Sequence, residues 1–139
     1  MITDSEILIR MILDEVRPDI RPLACTLNVV GEKLFDEGLD WSELCVTKDI
    51  YPVVAHRLGK QTASVARSAE RLANRCWVAM DQEQIVRYIG KPLRRINAPS
   101  ELIFYLAFYL RRGEPYYRIV HERLQLLLLA ERRKSSKLY

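Results

Sequence analysis

The chain has 139 residues, 49% of them apolar and 29% charged, with a formal net charge of +4. That length holds one domain with one sizeable core, and the balance is that of a folded globular protein rather than a disordered or membrane-embedded one. Apolar runs such as residues 126–130 fall far short of the ~20 residues of a membrane helix, and Met1 is followed by Asp4 and Glu6 instead of a basic signal-peptide start, so a cytoplasmic location without a membrane partner is expected.

The charge is unevenly spread. Residues 1–46 hold 4 basic and 10 acidic side chains, a balance of −6, whereas residues 47–139 hold 18 basic and 8 acidic ones, a balance of +10. A basic surface of this size suits neutralisation of phosphates, each Lys or Arg adding salt-dependent affinity. Cys25, Cys45 and Cys76 are an odd number, spaced to suit neither a disulfide framework nor a CxxC metal site. All three are expected to be reduced core residues. His56 and His121 lie on helical patterns with no metal-ligand or triad arrangement around them, and the glycines at 31, 38, 59, 90 and 113 form no phosphate loop. No catalytic residue, metal or cofactor is assigned, and an enzyme is the least favoured class.

In chain order, nearly every segment has a period near 3.6 and reads as helix, so the expected fold is all-α, one multi-helix domain over 1–139. Thr3 or Asp4 can cap a first helix with Ile7, Ile9, Met11, Ile12 and Leu13 inward; a second runs over about 19–35 and stops at Glu37-Gly38. These two acidic helices read as scaffold. Thr47 can cap a third helix ending at Gly59, followed by a tight turn at Lys60-Gln61 and a long helix over about 62–81. Helix, short Gly-containing turn, helix is the grammar of a helix-turn-helix, here about 47–81. A short helix over 82–88 ends at Gly90, a basic loop fills 91–97, Pro99 and Ser100 start a helix to Arg112, and a last helix covers about 116–134.

On the long helix, steps of about 100° put Val65, Ala69, Leu72, Cys76 and Met80 on one side, which is core. Ser64, Arg67, Ser68, Arg71 and Arg75 share another face. The two serines permit close approach, and the forks of Arg67 and Arg71 match guanine O6 and N7, so Ser64, Arg67, Ser68 and Arg71 are the candidate base contacts. Arg57, Lys60, Gln61, Thr62 and Arg75, with Lys91, Arg94 and Arg95 of the basic loop, are the candidate phosphate contacts. The reading is sequence-specific binding of double-stranded DNA, by a transcriptional regulator or a mobile-element factor. The alternative is a helical adaptor with a vestigial helix-turn-helix, docking on another protein such as a polymerase subunit.

Thr47-Lys48-Asp49-Ile50-Tyr51-Pro52, Ala55, Thr62-Ala63-Ser64-Val65, Arg67 and Trp77 resemble, in order and spacing, the DNA-binding effector domain of the sporulation initiation response regulator (the stage zero sporulation protein A family). Gly90 and Ala98-Pro99-Ser100-Glu101-Leu102-Ile103 extend the likeness, which spans roughly residues 19–112. The resemblance implies a six-helix-type domain that binds short promoter boxes as paired or tandem copies, its long helix in the major groove and Arg67 at the base-reading position. Ala66 and Glu70 depart from the family's acidic residue and arginine there, with Arg71 beside them, so a different box is expected. The family's phosphoacceptor receiver domain has no counterpart here, and control by Asp phosphorylation is not expected.

Beyond Arg112 the chain leaves that pattern. Tyr116, Tyr117, Ile119, Val120, Leu124 and the leucines at 126–129 make a helix apolar around much of its circumference, followed by Arg132, Arg133 and Lys134. Such a helix needs more than one covering surface. Its own domain and a second copy of the chain are both candidates, and a homodimer would suit two adjacent DNA half-sites. RNA polymerase is a further candidate partner.

Overall fold

The computed structural model describes residues 3–137 and is built from helices, with no strand among them. Seven α-helices follow one another: α1 (Asp4–Leu13), α2 (Arg21–Gly31), α3 (Tyr51–Leu58), α4 (Thr62–Ala79), α5 (Gln82–Ile89), α6 (Pro99–Arg112) and α7 (Tyr116–Lys137). No helix of the described residues is long and apolar enough to cross a membrane.

The centre is α2 against α6. Leu23, Leu27, Val29 and Val30 of α2 and Leu102, Ile103, Leu106 and Ala107 of α6 are fully buried, and α1, α3 and α4 close around α2 while α4 and α5 close around α6. Helices as apolar as these are stable only when covered on several sides. In α1 the buried set is Leu8, Ile9, Ile12 and Leu13; Ile7 and Met11, expected inward, are exposed. The buried Ser5 hydroxyl donates to the Asn28 side chain, fixing α1 on α2. Thr3 caps α1 as expected, its hydroxyl accepting the Glu6 N–H.

The second helix is shorter than expected: α2 ends at Gly31 and the chain widens into a π-type turn over Glu32–Asp36, closed by Glu37 N–H to Glu32 C=O and by Gly38 at φ +72°. A second wide turn, Val46–Ile50, precedes α3, with the Tyr51 N–H on the Val46 carbonyl. Pro52 has no N–H to return to Lys48, which removes the regular bond at this point and leaves the wider ring as the alternative. Thr47 is exposed and does not cap; the backbone enters the turn at Cys45, whose N–H donates to the Asp49 carboxylate at 2.8 Å.

Gly59, left-handed at φ +64°, ends α3, and three residues later α4 begins at Thr62. Asp81 and Gln84 form a reciprocal capping box on α5. Gly90 then stops α5 at φ +104°, where a Cβ would stand 2.9 Å from the Arg118 backbone nitrogen and 3.1 Å from Tyr117 Cβ. Only glycine lets the loop after α5 seat on the root of α7. Gly90→Ala is expected to cost about 2 kcal/mol or more, against about 1 kcal/mol for Gly38→Ala, where the space is open; urea unfolding midpoints measure both.

Cys76 is buried, Cys25 half-buried and Cys45 exposed, so the expectation of three core thiols is corrected at Cys45. Burial pushes the Cys76 thiol up from 9.0 to about 12. Its folded-state pKa is raised, so this contribution to stability is complete below about pH 9 and is lost as pH climbs toward 12. A thiol reagent at pH 8 is expected to label Cys45 rapidly and Cys76 only after denaturant is added, as read by mass spectrometry.

Candidate nucleic-acid interface

Helix α4 buries Val65, Ala69, Leu72, Ala73 and Cys76, with Met80 just after its last turn. The opposite face is therefore turned outward. Ser64 and Ser68 sit half-buried at its edge, and Arg67, Arg71 and Arg75 are exposed, the three arginines lining one groove of about 650 Å³. The same groove takes in Glu70, Asn74 and Val78 of α4 and, across from them, Leu13 and Glu15 at the end of α1. Arg67 and Arg71 make no ion pair or hydrogen bond among the described residues. Arg75 does: its guanidinium donates to the Glu15 carboxylate at 2.6 Å.

The candidate phosphate contacts are divided among three places. Arg57 forms a two-pronged pair with Glu32, at 3.1 and 2.7 Å, in a cleft shared with Asp36 and Arg111; the Glu32 carboxylate raises its guanidinium pKa. Lys60 reaches Asp19 at 3.5 Å. The Asp19 carboxyl is held well below the usual carboxylate range, first by the Arg21 side chain and, least of its partners, by Lys60. Gln61 and Thr62 are exposed at the start of α4. Lys91 stands over the Tyr117 ring at 3.9 Å, at the root of α7, and Arg94 and Arg95 are exposed in the same loop.

The structure thus gathers Arg67, Arg71 and Arg75, flanks them with Ser64 and Ser68, and keeps Arg57 and Lys91 in other settings. Arg57, Lys60 and Arg75 are all neutralised from the acidic part of the chain, by Glu32, Asp19 and Glu15. With 38–52% of each partner's side chain exposed, such pairs contribute about 0–1 kcal/mol. Phosphate can replace these carboxylates at little cost.

Asn74 and Val78 belong to the groove and were findable, since they stand at i+7 from Arg67 and Arg71. Val78, 82% exposed, ends the polar stripe with an apolar side chain. Glu70 carries a negative charge into the groove and accepts a hydrogen bond from the buried Tyr51 hydroxyl at 3.4 Å; burial foremost, and then Glu70, raises the Tyr51 phenol pKa. Glu15 lies 60 positions from Arg75, and no local pattern announces it.

Compared with known protein families, curated proteins and solved structures, the chain matches none. Among the described residues no group of three or more His, Cys, Asp or Glu is placed to hold a metal ion. Glu15→Gln is expected to lower stability by less than about 1 kcal/mol, because the Arg75 pair is solvent-exposed; urea denaturation measures the difference.

Proposed function

We propose that this chain is a sequence-specific double-stranded DNA-binding domain, acting as a transcriptional regulator or as a DNA-binding factor of a mobile element, with α3, its three-residue turn and α4 serving as a helix-turn-helix. The observation that carries the reading is the pair Arg67 and Arg71: exposed, without ionic partners among the described residues, one turn apart, and beginning in the N-terminal half of an 18-residue helix. At 1.5 Å per residue that helix is about 27 Å long, enough to lie along a major groove about 12 Å wide. Ser64 and Ser68 leave room for base edges, and Arg67 and Arg71 offer forked donors to guanine. Glu70, held back toward Tyr51, offers an acceptor to cytosine N4 at the edge of the same surface. The resemblance to the sporulation regulator's effector domain points the same way and assigns Arg67 the base-reading role.

The ion pairs shape the affinity. Arg57, Lys60 and Arg75 exchange carboxylate partners for phosphates on binding, and Gln61, Thr62, Lys91, Arg94 and Arg95 add contacts around the rim. Paired or tandem binding follows from the resemblance, and contact with RNA polymerase belongs to the regulator reading. The uncovered leucines of α7 favour a second reading, a protein-docking adaptor, which predicts no shift of any duplex even at low salt.

Selection of bound sequences from a random duplex pool tests the proposal. Against the selected site, Arg67→Ala is expected to cost about 1 to 3 kcal/mol and to relax preference at one base pair, whereas Lys91→Ala weakens all sequences about equally. Unchanged affinity of Arg67→Ala removes the groove assignment. Glu15→Gln, which frees Arg75, is expected to bind more tightly at low salt without altering the sequence preferred.

A further inference from the structure

From Val120 onward every described side chain of α7 up to Lys134 is exposed, including Leu124, Leu126, Leu127, Leu128 and Leu129 at 50–67%. Only the root of the helix is anchored, where Tyr116 and Tyr117 join an aromatic cluster with Phe104, Tyr105 and Phe108. Beside that root lies a groove of about 410 Å³ lined chiefly by Leu34, Phe35, Leu39, Trp41, Phe104 and Phe108, all half-buried. Tyr116 itself forms part of its wall, so α7 leaves from the groove's edge instead of lying in it. The chain therefore carries an uncovered leucine helix and an uncovered aromatic groove that it does not bring together.

We propose that α7 of one copy lies in this aromatic groove of a second copy, and reciprocally, giving a two-fold dimer held by exchanged helices. Charge complementarity selects this occupant. Residues 34–42 supply one side of the groove; of the acidic side chains around it, Glu32, Asp36 and Glu37 are paired with Arg57, Arg111 and Lys33, which leaves Asp40 in the groove wall and the neighbouring Glu43, whereas α7 holds six basic residues against two acidic, a balance of +4. Asp40 and Glu43 on the groove side have no Lys or Arg partner, and Arg123 and Arg133 of α7 have no carboxylate partner among the described residues. On α7, Leu124, Leu127 and Leu128 fall on one side at i, i+3 and i+4, a ridge suited to a groove of this size. Reciprocity also favours a stable interface, because seating two helices buries twice the surface of one. A lone contact between two α7 helices would leave both aromatic grooves open. The inference is independent of whether the chain binds DNA.

Sedimentation velocity of the full chain over a dilution series tests it, with Leu124→Glu/Leu127→Glu altering the helix and Leu39→Lys the groove. All three positions lie outside the buried core, and circular dichroism checks that each variant is folded. The parent is expected to dimerise, and each variant to weaken that association at least tenfold. An equimolar mixture of the two variants is expected to regain part of it, because one seat in the mixed dimer pairs an intact helix with an intact groove. In a Trp77→Phe background, Trp41 emission is expected to shift to shorter wavelength with the same concentration midpoint as the mass. A parent that stays monomeric at hundreds of micromolar overturns the proposal. So does a Leu39→Lys chain that dimerises as well as the parent, a mixture that regains nothing, or a dimer in which Trp41 emission is unchanged.

Discussion

The burial of α2 against α6 is the constraint from which the other elements take their places. Both helices are apolar around most of their circumference, and an exposed leucine or valine forfeits about 1.5–3 kcal/mol relative to a buried one, so neither is stable without cover on several sides. Helices α1, α3, α4 and α5 supply that cover. Because α4 contacts both central helices, it must commit one face to them, filled by Val65, Ala69, Leu72 and Cys76. The direction in which Arg67 and Arg71 point is thus a by-product of core packing. A helix set by its buried face is a firm support for long polar side chains, which have much rotamer freedom of their own to lose.

The division of charge along the chain takes on a different meaning once folded. Taken linearly, an acidic segment precedes a basic one. In three dimensions Glu15, Asp19 and Glu32 reach across to Arg75, Lys60 and Arg57, and the basic surface is partly balanced by its own scaffold. Exposed pairs contribute little to stability, yet they lower the field felt by a distant polyanion. On the outward face of α4, Arg75 is balanced in this way, while Arg67 and Arg71 have no acidic partner among the described residues.

Much of this was legible beforehand. Helix ends at Gly59, Gly90 and Gly113 follow from the left-handed backbone that glycine tolerates, and the inward face of α4 follows from periodicity because its apolar residues occupy a single stripe. In α1 they do not: Ile7, Leu8, Ile9, Met11, Ile12 and Leu13 cover most of the circumference, so contact with α2 chose the buried side, and Ile7 and Met11 were left outside. Thr47 had the chemistry of a cap, but Pro52 altered the hydrogen bonding of the turn around it. The wall of the groove opposite α4 was invisible in one dimension, since it comes from Leu13 and Glu15. The last helix carried an open question about its cover, and its own domain covers only its first turn.

Gly90 has a mechanical consequence. With no side chain between the loop after α5 and the backbone of Tyr117 and Arg118, with Lys91 lying over the Tyr117 ring, and with Phe104, Tyr105 and Phe108 of α6 against Tyr116 and Tyr117, the base of α7 is clamped by both the loop and α6. A projecting helix clamped at its base behaves as a lever: displacement anywhere along it is delivered to the body as torque instead of being absorbed at a joint. Any surface that receives α7 therefore meets a direction already chosen, and it is spared the entropy of halting a search. The same rigidity makes the helix a ruler, in which one inserted residue would advance its far end by about 1.5 Å and turn it by about 100°.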